Sequence, residues 1–121
     1  MANPFVHVEL ATQDLGEAKK FYGSLFDWKL QDVPMGEMGT YTTIGVGTGT
    51  GGGMMKHPVP GAPAMWLAYV NVDDIAAATK KAKSLGAKII RDVTPVPDVG
   101  TLSIIQDPTG AMLGLWEPKK K

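Results

Sequence analysis

The chain has 121 residues, 44% of them apolar and 20% charged, which is the size and make-up of one small domain with a hydrophobic core and excludes wholesale disorder. Twelve basic residues balance twelve acidic ones, which argues against a nucleic-acid scaffold, because duplex binding draws its affinity from phosphate neutralisation. With no cysteine, disulfides, thiolate metal sites and cysteine nucleophiles are excluded. From the N-terminus, Phe5 to Leu10 alternates, with Val6, Val8 and Leu10 on one face, as a half-buried strand does. Asp14 with Glu17 three residues on forms a capping-box start for a helix whose stripe is Leu15, Ala18, Tyr22 and Leu25. Trp28 to Val33, Tyr41 to Val46 and Gly52 to Lys56 read as three further strands. A Pro- and Gly-rich stretch, Pro58 to Pro63, follows as a linker. Met65 to Val72 is a strand, and Asp73 or Asp74 caps a helix carrying Ile75, Ala78, Ala82 and Leu85, with Gly86 as its stop. Ala87 to Val93, Thr101 to Gln106 and Met112 to Glu117 complete the strands. Asp107-Pro108-Thr109-Gly110 is a turn before the last of them, with proline second and glycine fourth.

The order βαβββ occurs twice, and the two halves match without a gap at an offset of sixty residues. Asp14 falls on Asp74, Ala18 on Ala78, Lys20 on Lys80, Ser24-Leu25 on Ser84-Leu85, Asp32-Val33 on Asp92-Val93 and Ile44 on Ile104. The expected fold is α+β, a single domain over 1–121 built from module 1 at about 5–58 and module 2 at about 65–118. Each helix covers one face of a four-stranded sheet, and the paired sheets are expected to enclose a cleft.

Strand alternation predicts what lines that cleft. His7 and Glu9 alternate against Val8, and the offset carries them to Leu67 and Tyr69, with Met65 on the same face. Tyr41 and Thr43 are expected there, with Thr101 and Ser103 as their repeat partners. In the last strands Met54 corresponds to Gly114, which shares its face with Met112 and Trp116. An apolar lining with a few polar groups is the make-up of a small-molecule site. His57 reads as a linker residue. The Gly47 to Gly53 run lacks the Gly-Lys-Ser/Thr ending of a phosphate loop.

Two tandem βαβββ modules resemble the glyoxalase, bleomycin-resistance and extradiol-dioxygenase superfamily, also called vicinal oxygen chelate proteins. The resemblance rests on Val6-His7-Val8-Glu9-Leu10 followed by Asp14-Leu15 and Phe21-Tyr22, on Val70-Asn71-Val72-Asp73-Asp74, and on Asp107-Pro108-Thr109-Gly110 with Leu115-Trp116-Glu117-Pro118. It implies a divalent metal held in a cup by His, Glu or Gln from the first and last strand of each module, acting as a Lewis acid on vicinal substrate oxygens. Carried onto this chain, the four slots fall on His7, Met54, Leu67 and Gly114, with Gly53 or Met55 in place of Met54 where the glycine-rich approach shifts the register by one residue. Leucine and glycine offer no donor side chain, and methionine sulfur suits these ions poorly. Glu9 lies two residues from a slot, and Glu117 is expected to face the helix.

The sequence therefore predicts a metal-free member of that superfamily, with no cofactor, that binds a small, partly apolar or aromatic molecule. The expected contacts are His7, Glu9, Tyr41, Met54, Leu67, Tyr69, Ser103, Met112, Gly114 and Trp116, with His7 the best candidate for a catalytic role through an imidazole that titrates near neutral pH. The alternative is a metal-dependent lyase, isomerase or ring-cleaving dioxygenase in which Glu9, Glu37 or a partner chain completes the ligand set. No signal peptide and no apolar run of membrane-spanning length is visible, so a cytoplasmic protein without membrane or nucleic-acid partners is expected. The strand edges would allow a homodimer.

Overall fold

The computed structural model describes residues 3–35, 39–96 and 98–119. They form eight strands and two helices of the α+β class, and they divide into two compact units, His7–Leu67 and Ala68–Lys121 with Met1–Val6. The division falls inside two strands, not at the Pro58 to Pro63 linker that bounds the expected modules. The N-terminal residues join the second unit because the Asn71 amide donates to the Pro4 carbonyl at 2.9 Å and the Asn3 side chain donates to the Asn71 carbonyl at 2.9 Å. No described helix is long and apolar enough to cross a membrane.

The first unit contains β1 (Phe5–Thr12, beginning just before it), α1 (Leu15–Leu25), β2 (Lys29–Pro34), β3 (Thr40–Gly45) and β4 (Gly52–Lys56). Its strand order is β2-β3-β4-β1, with β4 parallel to β1 and the other neighbours antiparallel. Asp14 starts α1 by accepting from the Glu17 amide at 3.0 Å, which satisfies one of the amides a helix start leaves over. Leu15, Ala18 and Tyr22 then pack on Leu10, Ile44 and Met54 of the sheet. Leu25, expected in the same stripe, is the last residue of the helix and stays 57% exposed.

The second unit contains β5 (Met65–Asn71, beginning just before it), α2 (Ile75–Ser84), β6 (Lys88–Val96), β7 (Gly100–Gln106) and β8 (Met112–Pro118). Its order is β5-β8-β7-β6, again with one parallel pair, β5 with β8. Asp74 caps α2 by accepting from the Ala77 amide at 3.1 Å, and Glu117 accepts from the Ile75 amide at 2.9 Å. Gly86 ends the helix with φ +101°, a conformation that favours glycine. Ile75, Ala78 and Ala82 pack with Ile105 and Leu115, whereas Leu85, at the C-cap, is 69% exposed like its counterpart Leu25. The turn before β8 is the expected one. The Gly110 amide donates to the Asp107 carbonyl at 2.9 Å, and the Asp107 carboxylate accepts from the amides of Thr109 and Ala111 and from the Thr109 hydroxyl. Those donors hold the Asp107 carboxyl below the usual carboxylate range.

The two halves correspond, but not at one constant offset. Glu9 opposes Gly53 while Tyr69 opposes Gly114, so the first strands are sixty residues apart and the last strands sixty-one. The change is taken up along β6, which carries register irregularities between Ile89 and Arg91 and between Arg91 and Thr94. Gly53, not Met54, is therefore the counterpart of Gly114, and Thr42, not Thr43, is the counterpart of Ser103.

Glycine is required where strands crowd. Gly52 opposes Val8, and a Cβ there would run into the Val8 carbonyl, which is backbone and cannot yield. Gly23 lies within α1 with only ordinary contact around a would-be Cβ. We therefore expect Gly52→Ala to lower unfolding free energy by about 2–3 kcal/mol. Gly23→Ala should raise it by roughly 0.5–1 kcal/mol through reduced unfolded-chain entropy. Urea denaturation of both variants checks the pair.

Candidate functional site

On β1 the alternation turns Val8 and Leu10 one way and His7 and Glu9 the other. Leu10 meets the α1 core, so His7 and Glu9 occupy the face away from the helix. On β3, Thr42 and Ile44 are buried toward α1, which puts Tyr41 and Thr43 on the same face as His7 and Glu9. The strand order sets β4 between β3 and β1. Tyr41 nonetheless reaches β1, because the β4 residue in its path is Gly53. A Cβ there would overlap the phenol ring and its hydroxyl.

The Tyr41 hydroxyl donates to Glu9 Oε2 at 3.1 Å and lies 2.6 Å from His7 Nε2. The His7 and Tyr41 rings are nearly parallel, 22° apart, with centroids 6.2 Å from each other. A phenol carries one proton. The direction of its 2.6 Å contact with His7 therefore follows the tautomer of the imidazole. Burial lowers the His7 pKa from its ordinary value of 6.5, since a desolvated imidazolium is disfavoured. The arrangement is a carboxylate, a phenol and a neutral imidazole in line. It can orient a ligand oxygen and move a proton.

The second unit repeats the glycine but not the polar line. Tyr69 on β5 is 3% exposed and lies over Gly114 of β8, where a Cβ would strike its ring. Leu115 packs toward α2, so Gly114 and Tyr69 share the face away from that helix, as expected. Trp116 lies against Gly100, and Met112 is half-buried at the start of β8. Leu67 is buried on β5 and Met65 is exposed.

Two expected contacts are on the wrong side. Met54 is 0% exposed and packs with Leu10 and Ile44 under α1. Ser103 is also 0% exposed and shares a 2.8 Å hydrogen bond with Thr79 of α2. Both errors come from carrying the sixty-residue offset past β6, since one residue of register turns a side chain to the other face. Thr43 is exposed and its hydroxyl donates to the Gln31 carbonyl at 3.2 Å. His57 is half-buried, not a bare linker residue, and its Nδ1 accepts from the Val59 amide at 3.0 Å. Glu37, the alternative extra ligand, lies outside the described residues. The sequence does not separate Gly53 from Met54, because the sameness of the Gly51-Gly52-Gly53 run hides the register.

A divalent ion does not fit these residues. Among the described residues no three His, Cys, Asp or Glu side chains converge. The last-strand positions are Gly53 and Gly114, and the two donors that do share a face, His7 and Glu9, are already joined by the Tyr41 hydroxyl.

Because the folded state lowers the His7 pKa, the unfolded chain binds its proton more readily. Stability from this group is complete above about pH 6.5 and is lost as pH falls from there through the lowered folded value. His7→Gln should abolish that slope between pH 7 and 5, read by urea denaturation across pH. Tyr41→Phe should cost about 1–3 kcal/mol, because the half-buried imidazole and carboxylate lose their bridge.

The family model for the Glyoxalase/Bleomycin resistance protein/Dioxygenase superfamily matches residues 5–115. Over 117 residues the chain is 35% identical to the Mycobacterium tuberculosis protein named "Putative glyoxylase CFP32", an alignment covering 93% of this chain and 45% of that one. It is 26% identical over 122 residues to the anthracycline biosynthesis protein DnrV of Streptomyces peucetius, covering 89% of this chain and 44% of that one. The chain thus spans less than half the length of these curated relatives. Among solved structures, methylmalonyl-CoA epimerase from Mycobacterium tuberculosis superimposes with a TM-score of 0.72 at 17% identity, over 96% of this chain and 88% of that one. A hypothetical protein, BH1468 from Bacillus halodurans, also gives 0.72 at 17% identity, over 100% and 98%. At such identity these two likenesses speak to fold. The match over 5–115, together with the twice-repeated βαβββ order, shows that the chain belongs to the glyoxalase, bleomycin-resistance and dioxygenase superfamily.

Proposed function

We propose that this protein binds a small, partly apolar or aromatic molecule without a metal, on the face of the first unit's sheet that carries His7, Glu9 and Tyr41. The observation that carries the reading is the Tyr41 hydroxyl, set between His7 Nε2 and Glu9 Oε2. An ion shared by that nitrogen and that oxygen would need the same space. The phenol instead supplies a neutral bridge, and Gly53 makes room for it. The ring offers an apolar surface for a ligand, while the imidazole and carboxylate orient its polar atom. A few placed polar groups on an apolar wall are what small-molecule sites use for orientation.

The name of the relative CFP32 refers to a glyoxylase, so metal-assisted chemistry on a small carbonyl compound is the rival outcome of the test. Protein purified without chelator is assayed for zinc, nickel, iron and manganese, and then screened by thermal shift with small phenols and dicarbonyl compounds. The expected result is metal far below one equivalent and a saturable rise in Tm from a phenol, unchanged by EDTA. At a ligand concentration one hundred times Kd the gain is about 2.7 kcal/mol. His7→Ala and Tyr41→Phe should each weaken binding about tenfold or more. One equivalent of metal, with binding lost on chelation, would overturn the proposal in favour of a metal-dependent lyase, isomerase or dioxygenase.

A further inference from the structure

The opposite face of the same sheet carries a cavity. It has a volume of about 260 Å³ and is lined by the side chains of Val8, Trp28, Ile44, Val46 and Trp66 and by the stretch from Thr50 to Gly52. Val8 stands between His7 and Glu9 on β1 and so points the other way. Ile44 and Val46 belong to the α1 side of the sheet. This space is therefore separate from the His7, Glu9 and Tyr41 face, and its occupancy does not depend on the function proposed above.

Its walls are built. Trp28 and Trp66 have centroids 6.3 Å apart and planes 78° from each other. Both are fixed by Tyr22. Trp28 stacks on that ring at 5.7 Å, and Trp66 meets it edge-on at 5.4 Å and donates its indole N–H to the Tyr22 hydroxyl at 3.3 Å. The one polar atom of Trp66 is thus satisfied, yet 38% of the residue remains exposed. The floor is bare backbone that cannot be filled by substitution, since a Cβ on Gly52 meets the Val8 carbonyl and one on Gly51 would lie 2.9 Å from the Ile44 carbonyl. The Gly51 carbonyl already accepts from the Val8 amide at 3.2 Å.

We propose that this cavity is a binding site for a neutral, single- or fused-ring aromatic molecule of the size of indole. Two perpendicular indoles let one guest ring stack on the first and present its edge to the second, the two arrangements aromatic pairs prefer. No lining side chain is charged, so an ionised guest would be desolvated without a partner, whereas a neutral ring needs none. The volume exceeds that of an apolar cavity known to hold benzene, about 150 Å³, and falls just short of the range for drug-sized ligands, about 300–1,000 Å³.

Indole is the probe. Protein labelled with ¹⁵N at the tryptophan side chains is titrated with unlabelled indole. The Nε1–H signals of Trp28 and Trp66 should move in a saturable way while that of Trp116, in the other unit, does not. Trp66→Ala should weaken the effect about tenfold or more, and His7→Ala should leave it unchanged. Val46→Phe fills the cavity and should block indole, which carries the test if Trp66→Ala does not fold. Three results would overturn the proposal: no saturable shift, equal shifts at all three tryptophans, or Trp28 and Trp66 shifts that follow protein concentration alone. The last, with sedimentation showing a dimer that Trp66→Ala dissociates, would mean that a second copy of the chain covers the cavity.

Discussion

The first unit depends on a side chain that is missing. Gly53 sits in β4 opposite Glu9, and only because it has no Cβ can the Tyr41 ring cross β4 and set its hydroxyl between His7 and Glu9. Any other residue there would push the phenol off the sheet and leave a half-buried imidazole and carboxylate without their common partner. Buried polar groups are costly when unpaired, so the glycine, the tyrosine and the two β1 residues form one constraint.

The two units meet a second problem with different chemistry at corresponding positions. Each must tie its helix to the buried polar residue of its third strand. In the first unit Lys19 on α1 pairs with Asp32 on β2 at 2.8 Å, and the Thr42 hydroxyl donates to the same carboxylate at 2.8 Å. Lys19 and Thr42 together hold the Asp32 carboxyl below its usual range. In the second unit Thr79 and Ser103 meet directly at 2.8 Å. An ion pair open to water contributes little by itself. What both arrangements share is a satisfied hydroxyl beneath a helix, which keeps a polar residue in the core from being a cost. The duplication is thus visible in where polar groups are satisfied, even where the residues differ.

The fold was legible because its signals are local. The Asp14 and Asp74 caps, the Gly86 stop and the Asp107-Pro108-Thr109-Gly110 turn each act within a few residues, and each appears as the sequence implies. His7, Glu9 and Tyr41 could be put on one face from alternation alone. The choice between Gly53 and Met54 could not be made, and Ser103 was misplaced, because their positions depend on register carried across β6. Two irregularities in β6 shift that register, and nothing in the composition of Lys88 to Val96 announces them. Leu25 and Leu85 have helical spacing but fall where their helices end. Periodicity describes a stripe and does not say where its support stops.

The first unit's sheet is occupied differently on its two faces, and the sharing of β1 makes this a necessity. Alternation gives His7 and Glu9 to one face and Val8 to the other, with the backbone between them. That backbone is held closely from the β4 side: the Val8 amide donates to the Gly51 carbonyl, and the Val8 carbonyl abuts Gly52. The Gly51-Gly52-Gly53 run therefore serves both faces at once. Gly51 and Gly52 leave bare backbone under the tryptophans, and Gly53 leaves the path for Tyr41. In the folded chain this glycine run is closely packed, with no room for a Cβ at Gly52 or Gly53. Its glycines are there for close approach and not for mobility, since none of the three has a positive φ. Substitution along it should therefore change one face or the other according to parity, with Gly52 acting on the helix side and Gly53 on the polar line.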